Sequence, residues 1–236
     1  MSIPKITIFT CSYNKPQYIS EAISSVLAQT YPDFEYIILE NSTDGKTRNI
    51  VRSFKDSRIR LFEIDFSDKE REKIYVESHL KNTYAKEARG QFIMYLSDDD
   101  VLEPNCFAEH IQEFAKDVAQ SINFHGWRVV YLDTNKPDEI IGVKNRYGLN
   151  TQRRPGRRID GGSVMYKKEL LVQITEPYFK LRWKDAHISD GLFLNRLAQT
   201  TTFYPINKIL HIKRITKIST HGFIDQTGNA NAYRPG

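Results

Sequence analysis

Three consecutive carboxylates, Asp98, Asp99 and Asp100, follow at once on the short apolar run Phe92 to Leu96. Like charges set that close repel, and each raises its neighbours' pKa unless a cation sits among them. A hard divalent ion such as Mg²⁺ or Mn²⁺ answers that repulsion, taking one or two carboxylates together with the oxygens of a diphosphate. Loops at the carboxyl ends of strands are also where open α/β sheets bind ligands. The stretch Gln91 to Leu102 is therefore read as a metal and diphosphate site. Taken alone, the triplet favours the plainer reading, a solvated acidic turn leading into a helix that starts near Pro104. Its place behind a buried strand, and the rest of the chain, favour the metal.

The elements around it can be read from pattern. Ile6 to Phe9 is strand-like and ends at the polar segment Thr10-Cys11-Ser12-Tyr13-Asn14. After Pro16, the apolar residues Ile19, Ala22, Ile23, Val26 and Leu27 keep helical spacing, and Tyr31-Pro32-Asp33 breaks that helix. Tyr36 to Leu39 is continuously apolar, as in a parallel strand covered on both sides, and ends at the turn Glu40 to Gly45. A helix over about 46–54, a strand over Ile59 to Ile64, a charged loop over 67–73 and a helix C-capped by Gly90 complete the approach to the triplet. Such an alternation predicts a doubly wound, mostly parallel α/β sheet with helices on both faces. The loops after its first, second and fourth strands then bring Ser12, Tyr13, Glu40 and the triplet into one crevice.

Beyond the triplet the spacing predicts a helix through Phe107, Ile111, Phe114 and Val118, then a strand over Ile122 to Leu132. Residues 135–158 look like an exposed polar loop. A short strand over Ser163 to Tyr166 and helices over Lys168 to Ile174 and Asp190 to Leu197 follow. The whole is expected to form one domain, residues 1–103 binding the donor and residues 104–236 the acceptor.

Composition sets the bounds. With 236 residues, 40% hydrophobic and 27% charged, the chain suits a soluble globular protein. It holds neither a spanning apolar run nor the charged and apolar blocks of a secretory signal. Cys11 and Cys106 lack metal-ligand spacing and read as reduced thiols of a cytoplasmic protein. Residues 1–143 carry 17 Lys+Arg and 23 Asp+Glu, whereas residues 144–236 carry 17 and 6. That asymmetry points to an anionic substrate or membrane surface. Nucleic acid is disfavoured, because no zinc-finger, RNP-type or helix-turn-helix signature appears.

Ile8 to Asn14 with its Pro-started helix, the Ser-Thr-Asp-Gly turn of residues 42–45, and Leu96 to Leu102 together resemble glycosyltransferase family 2, whose members are inverting enzymes of the GT-A fold. Ser12-Tyr13-Asn14-Lys15, Ala22 to Thr30, Lys69-Glu70-Arg71 and Gly162-Ser163-Val164-Met165 are most similar to its bacterial spore coat polysaccharide members. The likeness runs from Ile6 to about Pro205.

The resemblance implies that Cys11 and Tyr13 hold a nucleotide base and that an acidic residue after the second strand pairs with the base's N–H. The chain departs there from the usual Asp-Asp-Gly-Ser, so Glu40 or Asn41 fills that place. It further implies that Arg71 reaches the base or diphosphate, that Asp98 contacts ribose, and that Asp99, seconded by Asp100, holds Mn²⁺ or Mg²⁺. His221, after Ser219-Thr220, is assigned to the metal shell on the same ground, with His211 beside it; an exposed His read alone is more often unliganded. Asp190, in Asp190-Gly191-Leu192-Phe193, becomes the general base, with Asp185 and Asp160 in reserve. Without the resemblance, Asp190 is simply an acidic residue favoured at a helix N-terminus. Asp160 and Gly162 fall in a stretch resembling acceptor-site backbone. Arg153, Arg154, Arg157 and Arg158 either close over the diphosphate once donor binds, meet an anionic acceptor, or form a solvated loop.

The expected activity is metal-dependent, inverting transfer of a sugar from UDP or dTDP to a hydroxyl of a polysaccharide or glycolipid, in the cytoplasm or peripherally on the membrane's inner face. A catalytically inactive sugar-nucleotide-binding protein is one rival. A sugar nucleotidyltransferase or a dinucleotide oxidoreductase would want a glycine-rich phosphate loop, and Thr10 to Lys15 contains no glycine.

Overall fold

The computed structural model describes residues 3–132, 135–149, 151, 153–156, 158–174, 177–179 and 188–216. Its elements in chain order are β1 (Ile6–Ser12), α1 (Ile19–Leu27), β2 (Phe34–Glu40), α2 (Gly45–Ser53), β3 (Ile59–Glu63), α3 (Asp68–Lys73), α4 (Val76–Tyr84), β4 (Phe92–Tyr95), β5 (Val101–Leu102) and α5 (Cys106–Lys116). These are followed by β6 (Ile122–Tyr131), β7 (Glu139–Ile141), β8 (Tyr147–Gly148), β9 (Val164–Lys167), α6 (Ser189–Leu197) and β10 (Thr202–Ile215).

One sheet runs in the order β3-β2-β1-β4-β9-β6-β10-β5. The first four strands are parallel, with Ile6 opposite both Phe34 and Phe92. β9 then pairs antiparallel with β4 and β6. Every residue of β2 and β4 is buried, because helices cover both faces and alternate residues feed different cores. Phe9, Ile37, Leu39, Ile93 and Tyr95 join Leu80, Tyr166 and Phe193 on one face. Ile8, Tyr36, Ile38, Phe92 and Met94 meet Ile19, Ile23, Val26 and Phe107 on the other. The loops after β1, β2 and β4 accordingly emerge at one edge. Asn14, at φ 48, turns the first of these loops. Its Oδ1 accepts from the backbone N–H groups of Thr43 (2.9 Å) and Asp44 (3.1 Å), tying the first loop to the second.

Several expectations need correction. Residues 68–73 form α3 rather than a charged loop: Ser67 and Glu70 make a reciprocal capping box, which satisfies the first amides of even so short a helix. Gly90 is not a helix cap, since α4 stops at Tyr84 and a tight turn over Ala85–Glu87 intervenes. A Cβ at Gly90 would lie 2.5 Å from Thr7 N, so a close approach to β1 requires the glycine. Lys168–Gln173 winds as a 3₁₀ turn rather than an α-helix. Within 135–158, β7 and β8 pair with β6 and β10 instead of standing free.

The largest departure is β10. Its 14 residues run parallel to β6 with register breaks between Ile206 and Ile209 and between Ile209 and His211, and they bring His211 opposite Leu102 of β5. These breaks, and the scattered polar residues between them, hide the period-two pattern by which a strand is recognised in sequence. No helix among the described residues is long and apolar enough to cross a membrane.

Candidate active site

β4 delivers the triplet into a cavity of about 370 Å³ at the carboxyl edge of the parallel strands. The three carboxylates are buried there, each 3–5% exposed. Asp98 accepts from Tyr13 N (2.8 Å) and from Lys15 Nζ (2.8 Å), and Asp99 accepts from the same ammonium at 2.7 Å. Both oxygens of Asp100 have donors, Oδ2 facing His211 Nε2 at 3.1 Å and Oδ1 taking Arg214 N at 2.8 Å. Burial pushes Asp98 up to about 6, Lys15 working against the shift and Asp99 adding to it; Asp99 is raised for the same reasons, with Asp100 as its crowding neighbour. The one Lys15 ammonium on Asp98 and Asp99 thus leaves surplus negative charge on the buried triplet. Hard oxygen donors under that surplus fit a Mg²⁺ or Mn²⁺ ion.

The second half of the chain supplies the rest of the cavity. Asp160, at the tip before the Gly161–Ser163 turn, ion-pairs with Lys213 and accepts from Gly162 N at 2.9 Å. Against the cost of burial, Lys213 and His211 hold Asp160 well below the usual carboxylate range, and Asp160 and Asp100 raise Lys213 in return. Asp190, in the first turn of α6, faces Lys81 Nζ at 3.2 Å. A Cβ at Gly161 would stand 2.6 Å from Asp190 Oδ2, and one at Gly162 would stand 3.1 Å from His211 Cε1. The turn therefore passes close to both side chains, and a larger residue at either position would have to displace them.

At the end of β2, Glu40 is fully buried; its Oε1 accepts from Ser42 N at 2.7 Å and its Oε2 has no partner. Asn41 is bound more completely, donating to Ser12 O (2.8 Å) and accepting from Arg71 Nη1 (3.1 Å). The Arg71 guanidinium, carried on α3, lies 4.4 Å over the Tyr13 ring. Cys11 lines the cavity, and burial together with Glu77 raises its thiol well above the ordinary value. Its 3.9 Å contact with Glu77 O and its unpaired state suit a packed thiol.

Sequence reasoning named most of these groups but missed Lys15, Lys81, Lys213 and Arg214, all of which line the cavity. It also assigned the metal-shell histidine to His221, which lies outside the described residues, as do Asp185 and Arg157. Among the described histidines it is His211 that meets the triplet. Arg153, Arg154 and Arg158 are exposed and absent from the cavity wall.

Behind His211 runs a buried polar network the sequence did not signal. Asn123 Nδ2 donates to His110 O at 3.1 Å, so its Oδ1 accepts from His110 Nδ1–H. His110 Nε2 then accepts from His125 Nδ1–H at 2.8 Å, with Cys106 Sγ 3.9 Å from that nitrogen. Burial lowers the pKa of His110 to about 4 and lowers that of His125 as well, which favours the neutral form of both rings. A hydrogen bond between the rings accounts for their spacing.

Comparison with known proteins agrees with this architecture. The chain is 30% identical over 211 residues to Protein CgeD of Bacillus subtilis, covering 87% of this chain and 49% of that protein. Among solved structures, S. aureus TarS 1–349 in complex with UDP-GlcNAc superposes with a TM-score of 0.69 at 17% identity, over 89% of this chain and 58% of that one. The mannosyltransferase PcManGT from Pyrobaculum calidifontis, solved with GDP-Man and Mn²⁺, gives a TM-score of 0.64 at 15% identity, over 95% and 60%. The chain therefore spans about half to three fifths of the length of these relatives, and it shares with the two enzymes the mixed, mostly parallel sheet of the GT-A fold. Residues 7–175 match the model of glycosyl transferase family 2, and the chain belongs to that family of sugar-transferring enzymes.

Proposed function

We propose that the chain transfers a sugar, with inversion, from a nucleoside diphosphate donor (UDP or dTDP) to a hydroxyl of a polysaccharide or glycolipid. What carries the reading is that a single cavity is lined both by Asp98, Asp99 and Asp100 and by Asp190, so leaving group and attacking hydroxyl can share one site.

On this reading Tyr13 stacks on the base once Arg71 yields its face, and Cys11 packs behind it. Glu40 is preferred over Asn41 as the partner of the base N–H, because its Oε2 is buried without a donor while Asn41 is already bonded. Asp98 contacts ribose. Asp99, whose side chain pairs with Lys15 among the described residues, would hold Mn²⁺ or Mg²⁺ with support from Asp100. An ion bound there supplies electrostatic neutralisation of the diphosphate that leaves. Asp160 and the Gly162 backbone line the acceptor side, and Asp190 removes the acceptor hydroxyl's proton as that oxygen attacks.

Thermal-shift measurements with UDP, dTDP and GDP, with and without Mn²⁺, test the donor reading. Stabilisation by UDP or dTDP that requires Mn²⁺ is expected; equal stabilisation under chelator removes the ion from the scheme. The positive charge of residues 144–236 would also let a cytoplasmic enzyme rest loosely on an anionic leaflet. Salt-sensitive co-sedimentation with phosphatidylserine vesicles is the expected result, and no pelleting at low salt excludes it.

A further inference from the structure

Among the cations of the cavity wall that the scheme above does not use, Lys81 stands nearest the proposed base. Lys81, on α4, is buried, with 9% of its side chain exposed. Its ammonium stands 2.7 Å from Glu77 Oε1, one helical turn back, and 3.2 Å from Asp190 Oδ1 across the cavity. The rings of Tyr95 and Phe179 flank it, with their centroids 5.2 Å and 5.0 Å away. A flexible, well-hydrated side chain is thereby confined to one place by two aromatic faces and an anchoring carboxylate.

Resting on the reading of Asp190 as the base, we infer that Lys81 is a positioning residue whose ammonium, anchored by Glu77, holds the Asp190 carboxylate fixed in the cavity. Asp190 is only half-buried, with 46% of its side chain exposed, and without a partner it could turn to solvent. The arrangement has two carboxylates for one ammonium. When Asp190 takes the proton of the acceptor hydroxyl and becomes a neutral acid, the ammonium keeps Glu77 as counter-ion, so proton transfer strands no buried charge. Gly161 packs against the other side of the same carboxylate, closing it in from the acceptor turn.

Other ionisable groups bear on Asp190. Lys213 of β10 adds a second positive field, Asp160 precedes the packed turn, and Cys11 and Tyr95 face Lys81 from β1 and β4. Burial favours the neutral forms of the last two. Burial opposes the charge on Lys81 as well, but Asp190 and Glu77 outweigh it and raise its pKa well above that of a free lysine.

The test compares Glu77→Gln with Lys81→Met/Glu77→Gln, a pair that differs only in the ammonium and leaves no unpaired glutamate in the core. The double variant should release UDP from a sugar-nucleotide donor about 10–100-fold more slowly than Glu77→Gln, with donor KM within about threefold. Equal rates in the two variants overturn the inference. With UDP-GlcNAc and UDP-glucose as probes and water standing in for the acceptor, Lys81→Met should lower the rate of UDP release about 10–100-fold while donor KM changes less than about threefold. Lys81→Arg should restore most of the loss. A raised donor KM at unchanged kcat would instead make Lys81 a donor contact. The base reading has its own control: if Asp190→Asn releases UDP at the normal rate, that reading fails and takes this inference with it. If Asp190→Asn is inactive while Glu77→Gln and Lys81→Met/Glu77→Gln release UDP at equal rates, only Lys81's role falls.

Discussion

The two halves of the cavity are built differently. On the side proposed to bind the donor the groups hang from the ends of three adjacent parallel strands, so their chain positions repeat with the strand–helix rhythm: Tyr13 after β1, Glu40 at the end of β2, the triplet after β4. On the side proposed to bind the acceptor no such rhythm exists. Asp160 and Gly161 precede the antiparallel β9, Asp190 opens α6, and His211 and Lys213 sit on a broken β10. A site at the edge of a parallel sheet comes nearly free with the topology. A site assembled from turns and a bulged strand depends on each tertiary contact, here ion pairs such as Lys213–Asp160 and Lys81–Asp190.

That contrast can be broken by mutation. Asp99→Asn and Asp190→Asn should each reduce transfer by about 10²–10⁴-fold, yet only Asp99→Asn should abolish the Mn²⁺-dependent thermal shift with nucleotide. Loss of that shift in Asp190→Asn would show that the halves are not separable. Next in size is a core substitution on the acceptor side. Phe124→Ala, which empties a fully buried position against Tyr147 and Phe203, should cost about 3–5 kcal/mol in urea unfolding. A loss below ~1 kcal/mol would mean that the second half is loosely packed.

Glu35, at the opposite end of the parallel strands, isolates the donor half. Burial works against its charge, but Arg89 N and the Thr7, Arg89 and Arg60 side chains hold its pKa below the ordinary glutamate value. A lowered folded-state pKa contributes stability that is complete above the unfolded pKa and is lost as pH falls through the folded value. Glu35→Gln should therefore destabilise by about 1–3 kcal/mol at neutral pH, and the difference from the parent should shrink as the pH drops below ~4. A gap that persists unchanged into acid would refute the linkage. The smallest effect is expected at the cap of α2, where Asp44 Oδ1 accepts from Thr47 N. Asp44→Ala should cost about 1 kcal/mol, read as a small fall in Tm with donor binding retained.

What could be read without coordinates follows the same divide. The apolar runs of β1, β2 and β4 and the helical spacing of Ile19 to Leu27 foretold the sheet, because a parallel strand buried on both faces needs no partner's identity to be recognised. The capping box of α3 was equally present, in Ser67 and Glu70, and was masked by the density of charge around it. Gly90 was noticed for the wrong reason: a glycine demanded by close approach to a distant strand looks the same in sequence as one demanded by a helix end.

The chain's own order of residues decided the donor edge, the carboxylate triplet and its place behind a buried strand, since strand periodicity and loop chemistry are local properties. Tertiary structure alone decided that His211 meets Asp100, that Lys15 bridges Asp98 and Asp99, and that Lys81 faces Asp190 from 109 positions away. Those pairings arise from register breaks and packed turns, and no local period in the sequence encodes which charges the fold will bring together.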